Sequence, residues 1–151
     1  MIKLDGRLGK VFELVLTSGI KIVVDLGCDH GKLGARCAEE GMRVTLTDIS
    51  QKSLQKAREL FKSLGLDGTF VCADGLEGID YTNALVVIAG MGGCEMIRIL
   101  SAHKPDYLVL CPHKNAEKLK DFLVEDGYKI IADTITKEGK KFYNIISAAK
   151  E

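Results

Sequence analysis

The sequence predicts an α/β fold in which a mostly parallel, seven-stranded sheet is covered by helices on both faces and closed by one antiparallel strand. Along most of the chain, short apolar segments alternate with longer amphipathic ones, a pattern typical of right-handed β-α-β units. The exception lies near the C-terminus, where two strand-like segments, 128–136 and 141–148, are separated only by KEGK at 137–140. This short glycine-containing connection indicates a hairpin, so the last strand is expected to run antiparallel to the others.

The individual elements follow from the period of their apolar residues and from the residues that bound them. An amphipathic helix that lies against the open end of the sheet is expected at 7–17, within an N-terminal helical segment 1–19. The segment between Ser50 and Gly65 has an apolar period near 3.6, a capping serine and a terminating glycine, as a helix does. The continuous apolar run ALVVIA at 84–89 predicts a central, fully buried strand. The remaining predictions are strands at 21–24, 43–47, 69–72 and 107–111, and helices at 31–40, at 94–102 and from a capping Asn115 to Gly127.

Length and composition favour one ordinary domain that spans residues 1–151. Hydrophobic residues make up 46% of the chain and charged residues 28%, which is enough apolar material for a core. Lysine plus arginine equals aspartate plus glutamate at 21 each, so the net charge is zero. A nucleic-acid partner would therefore need a local basic patch, because phosphate contacts dominate such binding.

Other sequence patterns concern the cellular compartment of the protein and the presence of a metal site. No apolar run approaches the roughly 18 residues of a membrane span, and the N-terminus has no signal-peptide pattern. We therefore expect a cytoplasmic protein with no membrane partner. The five cysteines form no Cys-x-x-Cys pair and the three histidines lack ligand spacing, so no metal site is predicted.

Acids and glycines collect at the predicted carboxyl ends of the strands, the edge at which open α/β sheets bind their ligands. A purely structural set of turns would need fewer acids, so this pattern favours a ligand site. The residues concerned are 25–31, Asp48, Asp74 and Gly75, 89–93, and 112–115.

The loop at 25–31 reads DLGCDHG and lacks the spacing of the dinucleotide-binding pattern G-x-G-x-x-G. It is closer to D-x-G-x-G-x-G, the first motif of methyltransferases that use S-adenosylmethionine (SAM), with Asp29 in place of the middle glycine. Aspartate is among the few residues that tolerate a left-handed backbone, so this replacement is sterically possible. Such a turn could also be a plain joint between a strand and a helix.

Two further acids favour the SAM interpretation. Asp48 ends the second strand, 21 positions after Gly27, where a carboxylate can accept hydrogen bonds from two ribose hydroxyls, although it could equally cap the next helix. Asp74, followed by Gly75, lies where methyltransferases place an acid near the adenine amino group, although an Asx turn would look the same. Acids at three consecutive strand ends are hard to obtain from turns alone. SAM also has no pyrophosphate, which accounts for the missing dinucleotide pattern.

The fourth and fifth strand ends are less specific. Residues 89–93 form the glycine run AGMGG where methyltransferases of exocyclic amines often carry N-P-P-Y, and glycine lets a backbone approach a ligand closely. His113 and Lys114 follow the fifth strand beside the same crevice. Each of these two side chains could equally be an ordinary surface residue.

The sequence resembles the bacterial TrmK family of SAM-dependent tRNA (adenine-N1) methyltransferases over about residues 7–147. The matching residues are Arg7 and Leu8, the loop residues Asp25, Gly27, Asp29, His30, Gly31 and Leu33, the strand-end acid Asp48, the segment IAGMGG from Ile88 to Gly93, and the closing KKFYNIISA. The resemblance implies a Rossmann-like class I methyltransferase domain and SAM as the cofactor. It covers the catalytic domain only, so the C-terminal helical domain of the relatives is expected to be absent.

Three departures from the family pattern concern the substrate side. Lys32 stands where the family usually has tyrosine, and Gly34 replaces a proline. The family's Q-P-N reads Cys111-Pro112-His113 here. These changes leave the SAM motifs intact and bear on the identity of the methyl acceptor.

The resemblance assigns the expected site residues. Adenine N1 already carries a lone pair, so transfer needs no strong base, but a nearby carboxylate would stabilise the positive charge that develops. We therefore expect Asp29 to face the target base and His30 to position the base or the methionine end of SAM. The expected cofactor-binding residues are Asp25, Gly27, Cys28, Asp29, Gly31, Asp48, Ile49, Asp74, Gly75, Ala89, Gly90, Met91 and Gly92. Candidates for contact with the RNA, or else only solvated charges, are Arg7, Lys32, His113 and Lys114.

Three other functions remain open from the residues. The altered substrate motifs favour a methyltransferase of a small molecule or of another RNA. A SAM-binding module without catalysis would also combine intact cofactor motifs with a changed substrate pocket. An NAD-dependent oxidoreductase is disfavoured by the glycine spacing and by the closing hairpin.

Overall fold

Seven strands and five helices form the protein, and the computed structural model describes every residue from Met1 to Glu151. The helices are α1 (Gly6–Ser18), α2 (Lys32–Glu39), α3 (Gln51–Ser63), α4 (Gly93–Ala102) and α5 (Ala116–Glu125). The strands are β1 (Ile22–Leu26), β2 (Arg43–Asp48), β3 (Thr69–Cys72), β4 (Leu85–Ile88), β5 (Tyr107–Leu110), β6 (Tyr128–Glu138) and β7 (Lys141–Lys150).

The strands form one sheet in the order β3-β2-β1-β4-β5-β7-β6. Strands β1 to β5 are parallel, and β7 runs antiparallel to both of its neighbours, β5 and β6. This is the predicted parallel sheet with its closing antiparallel strand. The strand order reverses between β1 and β4, so the ligand crevice of this fold is expected outside their carboxyl ends.

The core lies on both faces of the sheet, because successive side chains of a strand point to opposite faces. On β4, which is buried along its whole length, Leu85 and Val87 pack toward α1, α2 and α3, whereas Val86 and Ile88 pack toward α4 and α5. The continuous apolar run of β4 therefore contributes to the core on both faces of the sheet. None of the helices is both long and apolar enough to cross a lipid bilayer.

Four features of the structure differ in detail from the sequence predictions. Helix α1 lies along the sheet face beside β5, β6 and β7, because its apolar side packs there, and does not cover the open end of the sheet. β1 continues to Leu26, so Asp25 belongs to the strand. β6 continues to Glu138, so only Gly139 and Lys140 remain as the turn, and β7 continues to Lys150. Asn115 has a positive φ of 59° and makes no side-chain capping bond to α5.

The β6–β7 hairpin extends beyond the rest of the sheet at the carboxyl end of β5. The last residue of β5, Leu110, pairs with Ile146, so residues 141–145 pair with β6 alone. We call residues 134–145 the hairpin arm. It stands beside the edge at which the ligand crevice is expected.

Candidate cofactor site and active site

The loop after β1 is held against β2 by two backbone hydrogen bonds. The N–H groups of Gly27 and Cys28 both donate to the carbonyl oxygen of Thr47, at 2.8 and 3.0 Å. The loop then passes through left-handed conformations at Asp29, with φ 52°, and at Gly31, with φ 82°. Asp29 therefore adopts a left-handed conformation, which is sterically possible for aspartate as expected from the sequence.

The carboxylate of Asp48 joins this loop to the start of α3. Its Oδ2 accepts a hydrogen bond from the N–H of Asp29 at 3.0 Å, and its Oδ1 accepts one from the N–H of Ser50 at 2.9 Å. The hydroxyl of Ser50 accepts the N–H of Ser53 at 3.1 Å, so Ser50 is the helix cap. Asp48 is therefore oriented from two sides, and each of its oxygens keeps a free lone pair for a ligand.

Asp25 is a buried acid at the floor of the crevice. The residue is 3% exposed and its Oδ2 has no hydrogen-bond partner within the protein. Burial raises the pKa of Asp25 to about 7, the backbone N–H of Gly34 opposes this shift, and the nearby charges of Asp48 and Asp29 add to it. An unpartnered buried carboxyl among other acids is costly, so it indicates a site that receives a cationic or hydrogen-donating group.

Two adjacent cavities, of about 470 and 120 Å³, lie at the carboxyl ends of the strands and share Gly27 and Asp48. At their junction, a Cβ on Gly27 would lie 3.3 Å from the methyl carbon of Met91. Sequence-predicted residues that line the larger cavity are Arg7, Asp25, Gly27, Cys28, Asp29, His30, Gly31, Lys32, Asp48, Ala89, Gly90 and His113. Those that line the smaller cavity are Gly27, Asp48, Ile49, Asp74, Gly75 and Met91. Gly92 and Lys114 line neither cavity.

An arginine orients the acid of the smaller cavity. The Nη2 group of Arg98 donates to Oδ1 of Asp74 at 3.0 Å and to Oε1 of Glu95 at 2.7 Å. This contact turns one oxygen of the Asp74 carboxylate toward α4 and leaves the other oxygen without a protein partner. The side chain of Asp74 does not form the hydrogen bond of an Asx turn. Sequence reasoning missed Arg98 and Glu95, because their spacing on α4 resembles an ordinary surface ion pair.

The glycine run is bound to the segment that follows β5. The N–H of His113 donates to the carbonyl oxygen of Met91 at 2.9 Å, and the N–H of Gly93 donates to that of Lys114 at 2.8 Å. A Cβ on Gly93 would lie 2.5 Å from the carbonyl oxygen of Asn115, so only glycine fits there. By contrast, a Cβ on Gly90 would meet nothing nearer than 3.9 Å. Gly93 therefore serves packing, and Gly90 is the position at which the backbone is open to a ligand.

The side chain of Arg7 binds other groups of the protein. Its Nη1 group donates to the carbonyl oxygen of Ala89 at 2.7 Å, and its Nε lies 3.4 Å from Oε2 of Glu138. Its guanidinium also lies over the ring of Tyr143, 5.6 Å from the ring centre, and the imidazole of His113 is 5.9 Å from the same ring. Glu138 and Tyr143 were not predicted, since nothing local in the sequence relates them to a residue more than 130 positions away.

The two predicted catalytic side chains stand side by side at the rim of the larger cavity. Nε2 of His30 lies 3.5 Å from Oδ1 of Asp29, and the two side chains are 53% and 78% exposed. Lys32 and His113 are exposed around the same cavity. Lys114 lies outside it, with its Cγ 3.4 Å from the position of a Cβ on Gly92. The catalytic and substrate roles of these residues stay predictions.

The charge of the crevice fits SAM better than a dinucleotide. Three carboxylates, those of Asp25, Asp29 and Asp48, line the larger cavity at the start of α2, where a dinucleotide-binding fold holds its pyrophosphate. Like charges would repel that pyrophosphate, whereas the sulfonium and ammonium groups of SAM are cationic.

The model of the family described as "Methyltransferase domain" matches residues 4–146. A Mycoplasma pneumoniae relative named "Putative tRNA methyltransferase" is 30% identical over 151 residues, which are 95% of this chain and 70% of that protein.

Two solved structures with similar folds agree with this match. The Bacillus subtilis M1A22 tRNA methyltransferase TrmK superposes with a TM-score of 0.89 at 27% identity, over 100% of this chain and 68% of that one. A Streptococcus pneumoniae relative in complex with S-adenosyl-L-methionine has a TM-score of 0.83 at 28% identity, over 99% of this chain and 73% of that one.

Proposed function

Since the chain belongs to the TrmK family of methyltransferases, we propose that it transfers the methyl group of SAM to N1 of an adenine in tRNA. The observation that carries this proposal is the crevice in which Asp25, Asp48 and Asp74 lie at three strand ends around two joined cavities. The fold, the cofactor class and the reaction class follow from the family. The adenine acceptor and the residue roles are supported by the arrangement of the rim.

The chain offers a matching group for each part of the cofactor. Bound SAM supplies a methyl group on a positively charged sulfur. Asp48 is oriented to accept hydrogen bonds from ribose hydroxyls, and the free oxygen of Asp74 to accept one from the adenine amino group. The unpartnered carboxyl of Asp25 and the open backbone at Gly90 then remain to bind the amino-acid end of SAM. Together these groups hold the cofactor in one orientation.

The rim of the larger cavity supplies what adenine methylation needs. An N1-methylated adenine is cationic at neutral pH, so a carboxylate near the acceptor lowers the barrier by stabilising the developing charge. Asp29 is the exposed acid at the rim, and His30 beside it can hold the base by a hydrogen bond. No residue has to remove a proton before transfer, and the chain works mainly by positioning the two reactants.

The acceptor atom lies on the Watson–Crick edge of adenine, so the target base must leave any pair or stack before it reacts. Lys32, His113 and Lys114 are exposed around the entrance and are suited to hold the RNA backbone. Arg7 has a different task, because its guanidinium holds the Ala89 carbonyl, Glu138 and the Tyr143 ring. We place the protein in the cytoplasm, where this substrate occurs.

A methyl-transfer assay tests the proposal. Purified protein is incubated with methyl-labelled SAM and unmodified tRNA transcripts, and the digested RNA is analysed for N1-methyladenosine. Label in that nucleoside is the expected result. Binding of SAM without any label in tRNA would overturn the proposal in favour of another acceptor or a non-catalytic module, and NAD binding without SAM binding would overturn the reaction class.

A further inference from the structure

The hairpin arm projects past the sheet on the side of the methyl-acceptor rim. Residues 141–145 extend beyond the last pair of β5 and β7, and five residues of a strand span about 17 Å. Tyr143 and Glu138 on the arm contact Arg7, which in turn donates to the carbonyl of Ala89 at the larger cavity. The arm is thereby held in a defined position next to the crevice.

The tip of the arm carries three cations without an anionic partner. Lys137, Lys140 and Lys141 are all exposed, and none of them forms an ion pair. The one acid at the tip, Glu138, is engaged by Arg7. In a chain whose net charge is zero, this is a local concentration of positive charge at the substrate side.

An aromatic ring lies beside one of these cations. Phe142 is 69% exposed, and the ammonium group of Lys137, its cross-strand partner, lies 5.7 Å from the ring centre. Neighbouring residues of a strand face opposite ways, so Phe142 points away from the side on which Tyr143 contacts Arg7. The ring is therefore available for contact with another molecule.

We propose that the tip of the hairpin arm binds the RNA strand beside the target nucleotide, with the three lysines on phosphates and the Phe142 ring stacked on an unpaired base. This inference rests on the proposed function in that the acceptor is an RNA. Cations interleaved with an exposed aromatic ring are the combination that binds single-stranded nucleic acid, because every base has a face to stack and every phosphate a charge to neutralise. Because Arg7 joins the arm to the larger cavity, we expect the nucleotides that flank a base held there to reach the arm.

Charge and stacking are tested by separate variants. The triple variant Lys137→Gln, Lys140→Gln, Lys141→Gln removes three charges and keeps polar side chains. Its matched control, Lys21→Gln, Lys62→Gln, Lys129→Gln, removes three charges from exposed lysines remote from the strand ends that form the crevice. Phe142→Ala removes the ring, and Phe142→Trp restores a stacking surface. Binding of an unmodified tRNA transcript is measured across a salt series, and SAM binding is measured in parallel.

The arm triple variant is expected to bind tRNA about tenfold or more weakly, with the slope of log affinity against log salt reduced by about 0.7 to 0.9 for each phosphate that a lysine no longer neutralises. Phe142→Ala is expected to weaken tRNA binding about 5- to 100-fold, and Phe142→Trp to recover most of it. SAM affinity should stay within twofold throughout. Unchanged tRNA affinity in the arm variants, or an equal loss in the control, would overturn the inference, as would Phe142-dependent self-association without RNA binding. Arm-dependent RNA binding without N1-methyladenosine would overturn only the proposed function.

Discussion

The guanidinium of Arg7 donates a 2.7 Å hydrogen bond to the carbonyl oxygen of Ala89 and thereby joins the first helix to the end of the central strand. Through Glu138 and Tyr143 the same side chain also holds the hairpin arm. One residue from the N-terminal region therefore joins α1, the end of β4 and the hairpin arm at the larger cavity.

Replacement of Arg7 by alanine should change the acceptor side and spare the cofactor. We expect methyl transfer to fall at least tenfold, SAM affinity to change less than threefold, and the free energy of unfolding to drop by about 1–2 kcal/mol, because the variant lacks a charged hydrogen bond of a partly buried group. Urea denaturation, SAM titration and steady-state kinetics measure these quantities. A variant of full stability that only weakens the salt-dependent part of tRNA binding would show instead that Arg7 contacts phosphate.

Asp25 should make the stability of the free protein depend on pH. Its pKa in the folded protein is raised to about 7, above the unfolded value near 4, so the folded state keeps a proton that the unfolded state releases. The stabilising contribution of that proton is fully present below about pH 4 and is lost as the pH rises to about 7. Denaturation at several pH values should show this component in the wild type and not in Asp25→Asn.

The same group should link SAM binding to pH. A cationic ligand favours the ionised form of Asp25, so SAM affinity should rise with pH up to about 7, by at most about tenfold per pH unit. Calorimetric titration at pH 6 and pH 8 measures the change. If Asp25→Asn showed the same dependence on pH, the source would be another group.

Arg98 is expected to act on the cofactor through Asp74, because it binds one oxygen of that carboxylate. Arg98→Ala should weaken SAM binding about three- to tenfold and reduce the preference for SAM over its analogue with hypoxanthine in place of adenine. A merely structural role of Arg98 would not change that preference. In a double-mutant cycle with Asp74→Asn, the two effects should be less than additive, and full additivity would contradict the positioning role.

Asp29 should matter for turnover more than for cofactor binding. Asp29→Asn removes the charge but retains a residue that tolerates the positive φ of 52°, so the loop keeps its backbone. We expect kcat to fall about 10- to 100-fold, with SAM affinity within threefold. Asp29→Gly is the control for backbone conformation. Turnover close to that of the wild type in Asp29→Asn would remove Asp29 from the mechanism.

Much of the cofactor site could be predicted because its residues lie at strand ends. Strand periodicity places Asp25, Asp48 and Asp74 at one edge of a parallel sheet, so linear order becomes spatial proximity. That Asp29 tolerates a left-handed backbone was predicted as well, because this tolerance depends on local sterics. Asn115 occupies the predicted N-cap position of α5, but its side chain makes no capping bond, because Asn115 takes a left-handed conformation and its side chain donates to the sulfur of Cys94 instead.

The sequence by itself determined the sheet, its closing antiparallel strand and the acids at three strand ends, because periodicity and turn chemistry act between residues that are close along the chain. Only the tertiary structure decided that Arg7 holds Ala89 and the hairpin arm, and that Arg98 holds Asp74. The physical reason is that these interactions join side chains far apart in sequence, and no local pattern specifies which helix face packs against which strand end.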